Sequence, residues 1–372
     1  MQKAPTAVVA IRKLNKMTGA ARIALQQISI LSAMGYNVTV LCEKADAANI
    51  HSTGGTLHKI STFPFKGLVR RRWFSARANA WRLRHKPDLV ISHGDSDNAD
   101  IVFMHNCVDL AQGLIYPEAA DLQSDVSKMH RKIMSQGAFK KVVANSRLMA
   151  NDLSSRYNLP EDKIEVSYPG YNPKQFNASV KINYREARRD ELGIKKQEKL
   201  IGLVTSGDFK KRNLSLFIDI ADCLVKKATL NYRFLVIGQG NTAAYKEKAE
   251  KLNIGHHFIW KKTVPNVEQY YAALDLFMLP AHIEEFGCVV LEAMACSTLP
   301  LISERVGAGE ILEGDYKQLI VSGYDACQWA QASEKILMQN NDLLSNQVAN
   351  RASQFTYEYQ YKALKTLLSQ FF

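Results

Sequence analysis

The apolar positions of this chain fall into two successive series, each alternating short hydrophobic runs with stretches of helical spacing. The first series opens with residues 7–11, an apolar run of strand length. Residues 20–34 follow, with Ile23, Ile30 and Leu31 recurring on one helical face. Gly35 closes that helix and residues 36–42 read as the next strand. Residues 88–92, 101–104, 141–145 and 163–166 continue the series as the near-continuous apolar runs of strands buried on both faces. Strand alternating with helix in this way predicts a doubly wound parallel sheet.

The turn cluster Tyr168-Pro169-Gly170-Tyr171-Asn172-Pro173 breaks the pattern, and the polar run 174–199 reads as a linker with a short helix. A second series then starts, with strands expected at 200–205, 232–238, 257–260, 274–279 and 298–303. The boundaries expected are 1–173, 174–355 and a last helix, 356–372, with Tyr361, Leu364, Leu367, Leu368 and Phe371 on its apolar face. That helix is expected to pack back on the first domain. Two Rossmann-like halves joined by a Pro/Gly linker would hold a ligand in the cleft between them.

Length and composition agree with two ordinary α/β domains: 372 residues, 47% of them hydrophobic. No apolar run approaches the about 20 residues that span a bilayer, and no small-residue cleavage site follows the first apolar run. Cys42, Cys107, Cys223, Cys288, Cys296 and Cys327 are scattered without a Cys-x-x-Cys pair. Reduced, mostly buried thiols in a cytoplasmic protein without a zinc site are therefore expected. The net charge of +12 leaves an anionic substrate, an anionic membrane surface or nucleic acid as partners. Much of it lies in one block, Lys66, Arg70, Arg71, Arg72, Arg77, Arg82, Arg84 and Lys86, interleaved with Trp73, Phe74 and Trp81. On a helix this composition suits a membrane surface or an anionic acceptor, with peripheral attachment at the inner face of the cytoplasmic membrane expected. The alternative is a basic helix held on the sheet by its aromatics. One local block without a recognised motif sets nucleic acid aside.

The densest chemistry is the run Glu284-Glu285-Phe286-Gly287-Cys288-Val289-Val290-Leu291-Glu292. A loop carboxylate can hold sugar hydroxyls, and the glycine lets a diphosphate approach the free N–H groups of the helix that follows. Glu292, further along that helix, could accept hydrogen bonds from two ribose hydroxyls. Such a site would hold a sugar nucleotide along its length; a capped amphipathic helix is the plainer alternative. Lys211 and Arg212, in the run 206–213, are adjacent cations entering a helix, which its dipole disfavours unless an anion lies beside them. Gly19 joins a strand to a helix, and His105 follows a strand at the edge where ligands of open α/β sheets collect. Each also fits a structural role. Gly238-Gln239-Gly240-Asn241-Thr242-Ala243 fits a dinucleotide fingerprint, but Lys261 and Lys262 stand where an acid is needed. It reads as a tight strand-to-helix turn. Asp95-Ser96-Asp97 has the form of a metal-holding pair but lies in the first half, away from the glutamates, and no metal is expected.

Taken together, these motifs resemble glycosyltransferase family 4, retaining enzymes of the GT-B fold, and most nearly its bacterial lipopolysaccharide-core and exopolysaccharide transferases. The resemblance runs over nearly the whole chain. It rests on Met17-Thr18-Gly19-Ala20-Ala21-Arg22, His105, Ala144-Asn145-Ser146, Tyr168-Pro169-Gly170-Tyr171-Asn172, residues 206–213 and residues 275–310.

The resemblance implies two Rossmann-like domains facing a central cleft. It also implies transfer of a hexose from a nucleotide sugar, a UDP-sugar favoured, to a hydroxyl of a cell-envelope glycan. Glu284 would hold the donor sugar and Glu292 the ribose. Lys211 and Arg212 would bind the diphosphate, with Gly19 and Gly287 giving close backbone approach and Phe286 and Cys288 flanking. His105 would lie beside the donor sugar, and residues 260–263, including Lys262, would border the base. No metal or other cofactor is implied. The chain departs from the family at Glu285, where Gly or Pro is usual, at Thr18, at Asn213 and at Cys296-Ser297-Thr298. A non-catalytic module of the same fold and a sugar-nucleotide epimerase are the alternatives, and a nicotinamide dehydrogenase is the weakest.

Overall fold

The computed structural model describes residues 3–15, 18–119, 123–312, 314 and 316–371; Lys16 and Met17 of the first glycine loop lie outside them, as does Phe372. The chain forms two compact units, Met1–Pro169 with Glu358–Phe372, and Gly170–Tyr357.

In the first unit the strands are β1 (Thr6–Ala10), β2 (Lys13–Leu14), β3 (Asn37–Cys42), β4 (Lys44–Ala45), β5 (Gly55–Lys59), β6 (Leu89–Ser92), β7 (Ile101–Phe103), β8 (Lys141–Ala144) and β9 (Ile164–Val166). Seven form one parallel sheet in the order β5-β3-β1-β6-β7-β8-β9, and β2 pairs with β4 apart from it. The chain walks outward from β1 to β5, then returns to β1's other side at β6. The order therefore reverses between β1 and β6, and the loops leaving those strands diverge over one crevice. Leu89, Val90, Ile91 and Ser92 are all buried, as sheets covered on both faces require. β5 escaped the sequence pattern because Thr56, His58 and Lys59 make it a polar edge strand.

The helix Tyr357–Ser369 belongs with this unit through its apolar face. Leu364, Leu367 and Leu368 are at most 4% exposed and join one core with Val9, Ile28, Val40 and Ile91. Burying each is worth about 1.5–3 kcal/mol.

The second unit holds β10 (Glu198–Val204), β11 (Asn231–Ile237), β12 (Phe258–Lys261), β13 (Leu276–Leu279), β14 (Pro300–Ser303) and β15 (Ile320–Val321). Their order is β12-β11-β10-β13-β14-β15, all parallel, so the reversal falls between β10 and β13. The short helix expected within the polar run 174–199 is Ala178–Glu191, 14 residues long and built into this unit. Arg185 and Arg189 reach Asp275 at 2.5 and 2.9 Å, and Asp275 also accepts from the Leu200 N–H at 2.7 Å. One carboxylate thus pins the helix to the starts of β10 and β13. Nothing in the sequence signals this docking, because Arg189's partner lies 86 positions away.

The thiols also differ from expectation. Cys42, Cys107 and Cys296 are buried, but Cys223 and Cys288 are half-buried and Cys327 is exposed. Cys223 and Cys327 lie Sγ to Sγ at 3.2 Å across two packed helices. A spacing of 104 residues gave the sequence no hint of it.

Candidate active site

The reversal of strand order in the second unit brings two loops side by side, one leaving β10 and one leaving β13. The β10 loop tightens because Asp208 and Asn213 adopt the left-handed conformation. Asp208 accepts from the Lys211 N–H at 3.1 Å, and Asn213 caps the following helix, Leu214–Lys227, by accepting from the Leu216 N–H. Lys211 and Arg212 are held in that turn. The loops join directly where His282 N–H donates to the Lys211 carbonyl at 3.0 Å. Lys211 Nζ then meets Glu285 Oε2 at 2.6 Å, and Arg212 pairs with Glu284. Two cations and two carboxylates from segments over 70 residues apart form one cluster, each side chain at most 16% exposed. Burial raises the Glu284 carboxyl above the usual glutamate range, with Arg212 opposing.

A third strand end completes the frame. Glu284 N–H donates to the Arg305 carbonyl, while the Gly307 and Ala308 N–H groups donate to the carbonyls of Glu284 and Phe286. Phe286 is buried beneath the loop. Gly287 begins the helix Cys288–Ala295 at φ +95°, where an added Cβ would lie 3.0 Å from Glu284 Cγ. Only glycine fits both restraints. The N-terminal N–H groups of this helix and Cys288, half-buried, follow directly. Glu292 is half-buried and accepts from Tyr271 Oη at 3.2 Å, a phenol held well above its usual range by burial and by Glu292. Lys262 is not drawn into the cluster; it is exposed on the loop beyond β12, the edge strand.

Gly238 and Gly240 have a packing role. An added Cβ would lie 2.8 Å from the Phe209 ring at Gly238 and 3.1 Å at Gly240. The glycines admit the buried ring of Phe209, whose carbonyl accepts from the Leu214 N–H just past the Lys211–Arg212 turn. The tight-turn reading therefore gains a reason.

In the first unit, Gly19 is exposed at the start of the helix Gly19–Ala33, capped by Thr18, and an added Cβ would meet nothing within 4 Å. The fold itself places no demand for glycine there. His105 leaves β7 and contacts a second histidine that sequence reading missed. His93, after β6, lies with Nδ1 2.8 Å from His105 Nε2, the rings nearly coplanar with centroids 5.1 Å apart. Burial, then the nearby His130, lowers His105 to about 4, so its ring is neutral at neutral pH. Asp95 is held by Arg12 and Arg71 at 3.5 and 3.4 Å, and Asp97 by Lys132 at 2.6 Å and by Ser75. Each carboxylate of the Asp-x-Asp run is thus taken up by different neighbours. Among the described residues, no three His, Cys, Asp or Glu side chains are grouped to hold a metal ion.

The basic aromatic segment is the helix Gly67–His85, and it corrects the expected patch. Arg70 forks onto buried Glu43 at 2.8–3.2 Å, and Arg71 reaches Asp95. Both arginines serve the interior rather than the outer face. Trp73 donates to the Ser61 carbonyl at 3.0 Å and Trp81 stacks on His85 at 4.0 Å. Arg72 remains exposed, as do Phe65, Val69 and Leu83, each of these three more than half exposed. No described helix is long and apolar enough to cross a membrane.

Residues 184–355 match the family model described as Glycosyl transferases group 1, and residues 17–175 match Glycosyltransferase Family 4. The D-inositol 3-phosphate glycosyltransferase of Segniliparus rotundus is 27% identical over 310 residues, 74% of this chain and 65% of that protein. The same enzyme of Corynebacterium diphtheriae is 29% identical over 204 residues, 53% of this chain and 47% of its own length. Lipopolysaccharide glucosyltransferase WaaG of Escherichia coli is 24% identical over 227 residues, 60% of each chain. The chain thus spans less than two thirds of the length of these relatives. Among solved structures, WaaG aligns with a TM-score of 0.74 at 20% identity, covering 97% of this chain and 99% of that one. Sucrose-phosphate synthase of Thermosynechococcus elongatus aligns with a TM-score of 0.77 at 17% identity, covering 99% of both chains.

Proposed function

The chain belongs to the family 4 glycosyltransferases, and on that premise we propose that it moves a hexose from a nucleotide sugar, with retention, to a hydroxyl of a cell-envelope glycan. The observation that carries this reading is the cluster of Lys211, Arg212, Glu284 and Glu285 at the strand-order reversal of the second unit. Lys211 and Arg212 take the diphosphate together with the N–H groups that open the helix Cys288–Ala295. Freed from Arg212 by that anion, Glu284 accepts hydrogen bonds from the sugar, and Glu292 holds the ribose.

In the reaction the bond from the anomeric carbon to the diphosphate oxygen breaks with oxocarbenium character. Lys211, Arg212 and the helix N-terminus stabilise the charge that collects on the leaving group. The acceptor hydroxyl attacks from the same face, and its proton passes to the departing phosphate oxygen. The cations make a metal unnecessary. The likeness to a lipopolysaccharide glucosyltransferase supports a glycan of the envelope as acceptor, and a UDP-sugar is the first donor to test.

Thermal shift against UDP-, GDP- and ADP-sugars in EDTA tests the donor site. Stabilisation by one nucleotide series, lost in Glu292→Ala, is expected; stabilisation only after Mn²⁺ replaces EDTA would overturn the metal-independent mechanism. Acceptor-dependent release of nucleoside diphosphate separates transfer from epimerisation. Peripheral attachment at an anionic membrane rests on Arg72, Phe65, Val69 and Leu83 rather than on Arg70 and Arg71. Undiminished sedimentation of the double variant Arg72→Ala, Leu83→Ala with anionic vesicles would remove that assignment.

A further inference from the structure

His105 is the end of a hydrogen-bonded chain in the first unit whose other members, His93 and Gln27, have no part in the chemistry described so far. Its Nε2 lies 2.8 Å from His93 Nδ1, and His93 Nε2 lies 3.0 Å from Oε1 of Gln27. Gln27 is fully buried on the helix Gly19–Ala33, and His93 is 7% exposed, its ring beside Phe103 and nearly coplanar with that of His105. The three residues come from three elements beside the strand-order reversal: the first helix, the loop after β6 and the loop after β7. Such a chain has a direction. With the Gln27 carbonyl oxygen turned toward it, and the Gln27 amide nitrogen buried without a partner, His93 presents its proton on Nε2. A neutral His93 then offers a bare Nδ1, which accepts from Nε2–H of His105. A neutral His105 is left with a bare Nδ1.

We propose that His93, anchored by Gln27, is a positioning residue that keeps His105 in its Nε2–H form, with Nδ1 free to accept a hydrogen bond from a sugar hydroxyl. The inference rests on the transfer reading for the identity of that hydroxyl. It requires no proton gain or loss, since the chain orders protons that two neutral imidazoles already carry. It also gives a reason for a buried glutamine in the middle of an otherwise apolar helix face. The other titratable groups around the pair are His130, which packs against Gly94 and acts on His105, and behind it Arg71 and Asp109.

The test uses the full chain labelled with ¹⁵N-histidine. Ring correlation spectra, with His105 assigned by loss of its signals in His105→Gln, read the tautomer without any substrate. The wild type is expected to show His105 protonated on Nε2 and bare on Nδ1. His93→Phe keeps a planar ring beside Phe103 but removes the acceptor and should return His105 to a mixture. His93→Asn restores an acceptor near the Nδ1 position and should restore the single form. In transfer assays His93→Phe should lower kcat about ten- to a hundredfold with little change in donor KM, and His93→Asn should recover most of it. A wild-type His105 protonated on Nδ1, or a tautomer untouched by His93→Phe, would overturn the inference. A fixed tautomer in a protein that transfers no sugar would instead sink the transfer reading and leave the positioning intact.

Discussion

Glu285 stands where an anionic ligand is expected to compete, and its removal gives a prediction with two opposed signs. In Glu285→Gln the amide keeps the shape and one hydrogen bond to Lys211, whose Nζ lies 2.6 Å from the carboxylate. The empty protein loses a charge-assisted contact between groups 12% and 5% exposed, costing about 1–3 kcal/mol. The melting temperature should fall by a few degrees. The diphosphate gains. A carboxylate and a phosphate sharing one ammonium lie about 5 Å apart and repel by about 3 kcal/mol at an effective dielectric of about 20. Halving this for residual solvent leaves about 1.5 kcal/mol, or about tenfold tighter binding of the nucleoside diphosphate. Calorimetric titration of wild type and variant, beside a melting scan of each, reads both quantities. A lower melting temperature with unchanged or weaker binding would refute the argument, because Glu285 would then be holding Lys211 in place for the ligand.

Gly287→Ala should destabilise the second unit by at least about 1–2 kcal/mol, since φ +95° and Glu284 Cγ at 3.0 Å both oppose a Cβ; an unchanged melting temperature with intact donor binding would contradict this. Burial lowers His105 and His130 to about 4, so below the ordinary value near 6.5 the unfolded chain binds protons that the folded chain refuses. Stability is therefore complete above about pH 6.5 and lost as pH falls toward about 4, by about 2 kcal/mol per histidine near pH 5. Denaturant titrations near pH 7 and pH 5 should show His130→Gln flattening that loss, and a variant with the wild-type slope would count against it. Oxidised glutathione should link Cys223 to Cys327, whose sulfurs lie 3.2 Å apart, with loss of two hydrogens by mass and no product in Cys327→Ser. A wild type that stays reduced would mean the helices do not let the thiols close to bonding distance.

The two sheets were legible because their central strands are buried on both faces and so are written as unbroken apolar runs. Residues 101–104 and 274–279 announced themselves without help from any partner. The basic pair and the glutamates were legible as residue types, but their pairing was not: Lys211 and Glu285 meet only because β10 and β13 are neighbours, which is a property of strand order. His93 was missed for a similar reason. A histidine after β6 means little until β7 is set beside it and His105 comes within hydrogen-bond reach. The basic helix misled because composition cannot distinguish Arg70, whose partner Glu43 lies in the interior, from Arg72, which is exposed. Charge runs record how many cations there are, and only the fold assigns each a direction.

The place of Leu364, Leu367 and Leu368 in the core around Val9 and Ile28 has a consequence for how the molecule is made. A ribosome delivers residues 170–357, and with them every strand of the second sheet, before the residues that finish the first unit have been joined to the chain. The unit begun first is therefore completed last. Until then part of the apolar surface over β1 and the first helix lies uncovered, available to chaperones and to aggregation. Substitutions in the last helix should accordingly change yield and solubility more than they change the chemistry of the Lys211–Glu284 cluster.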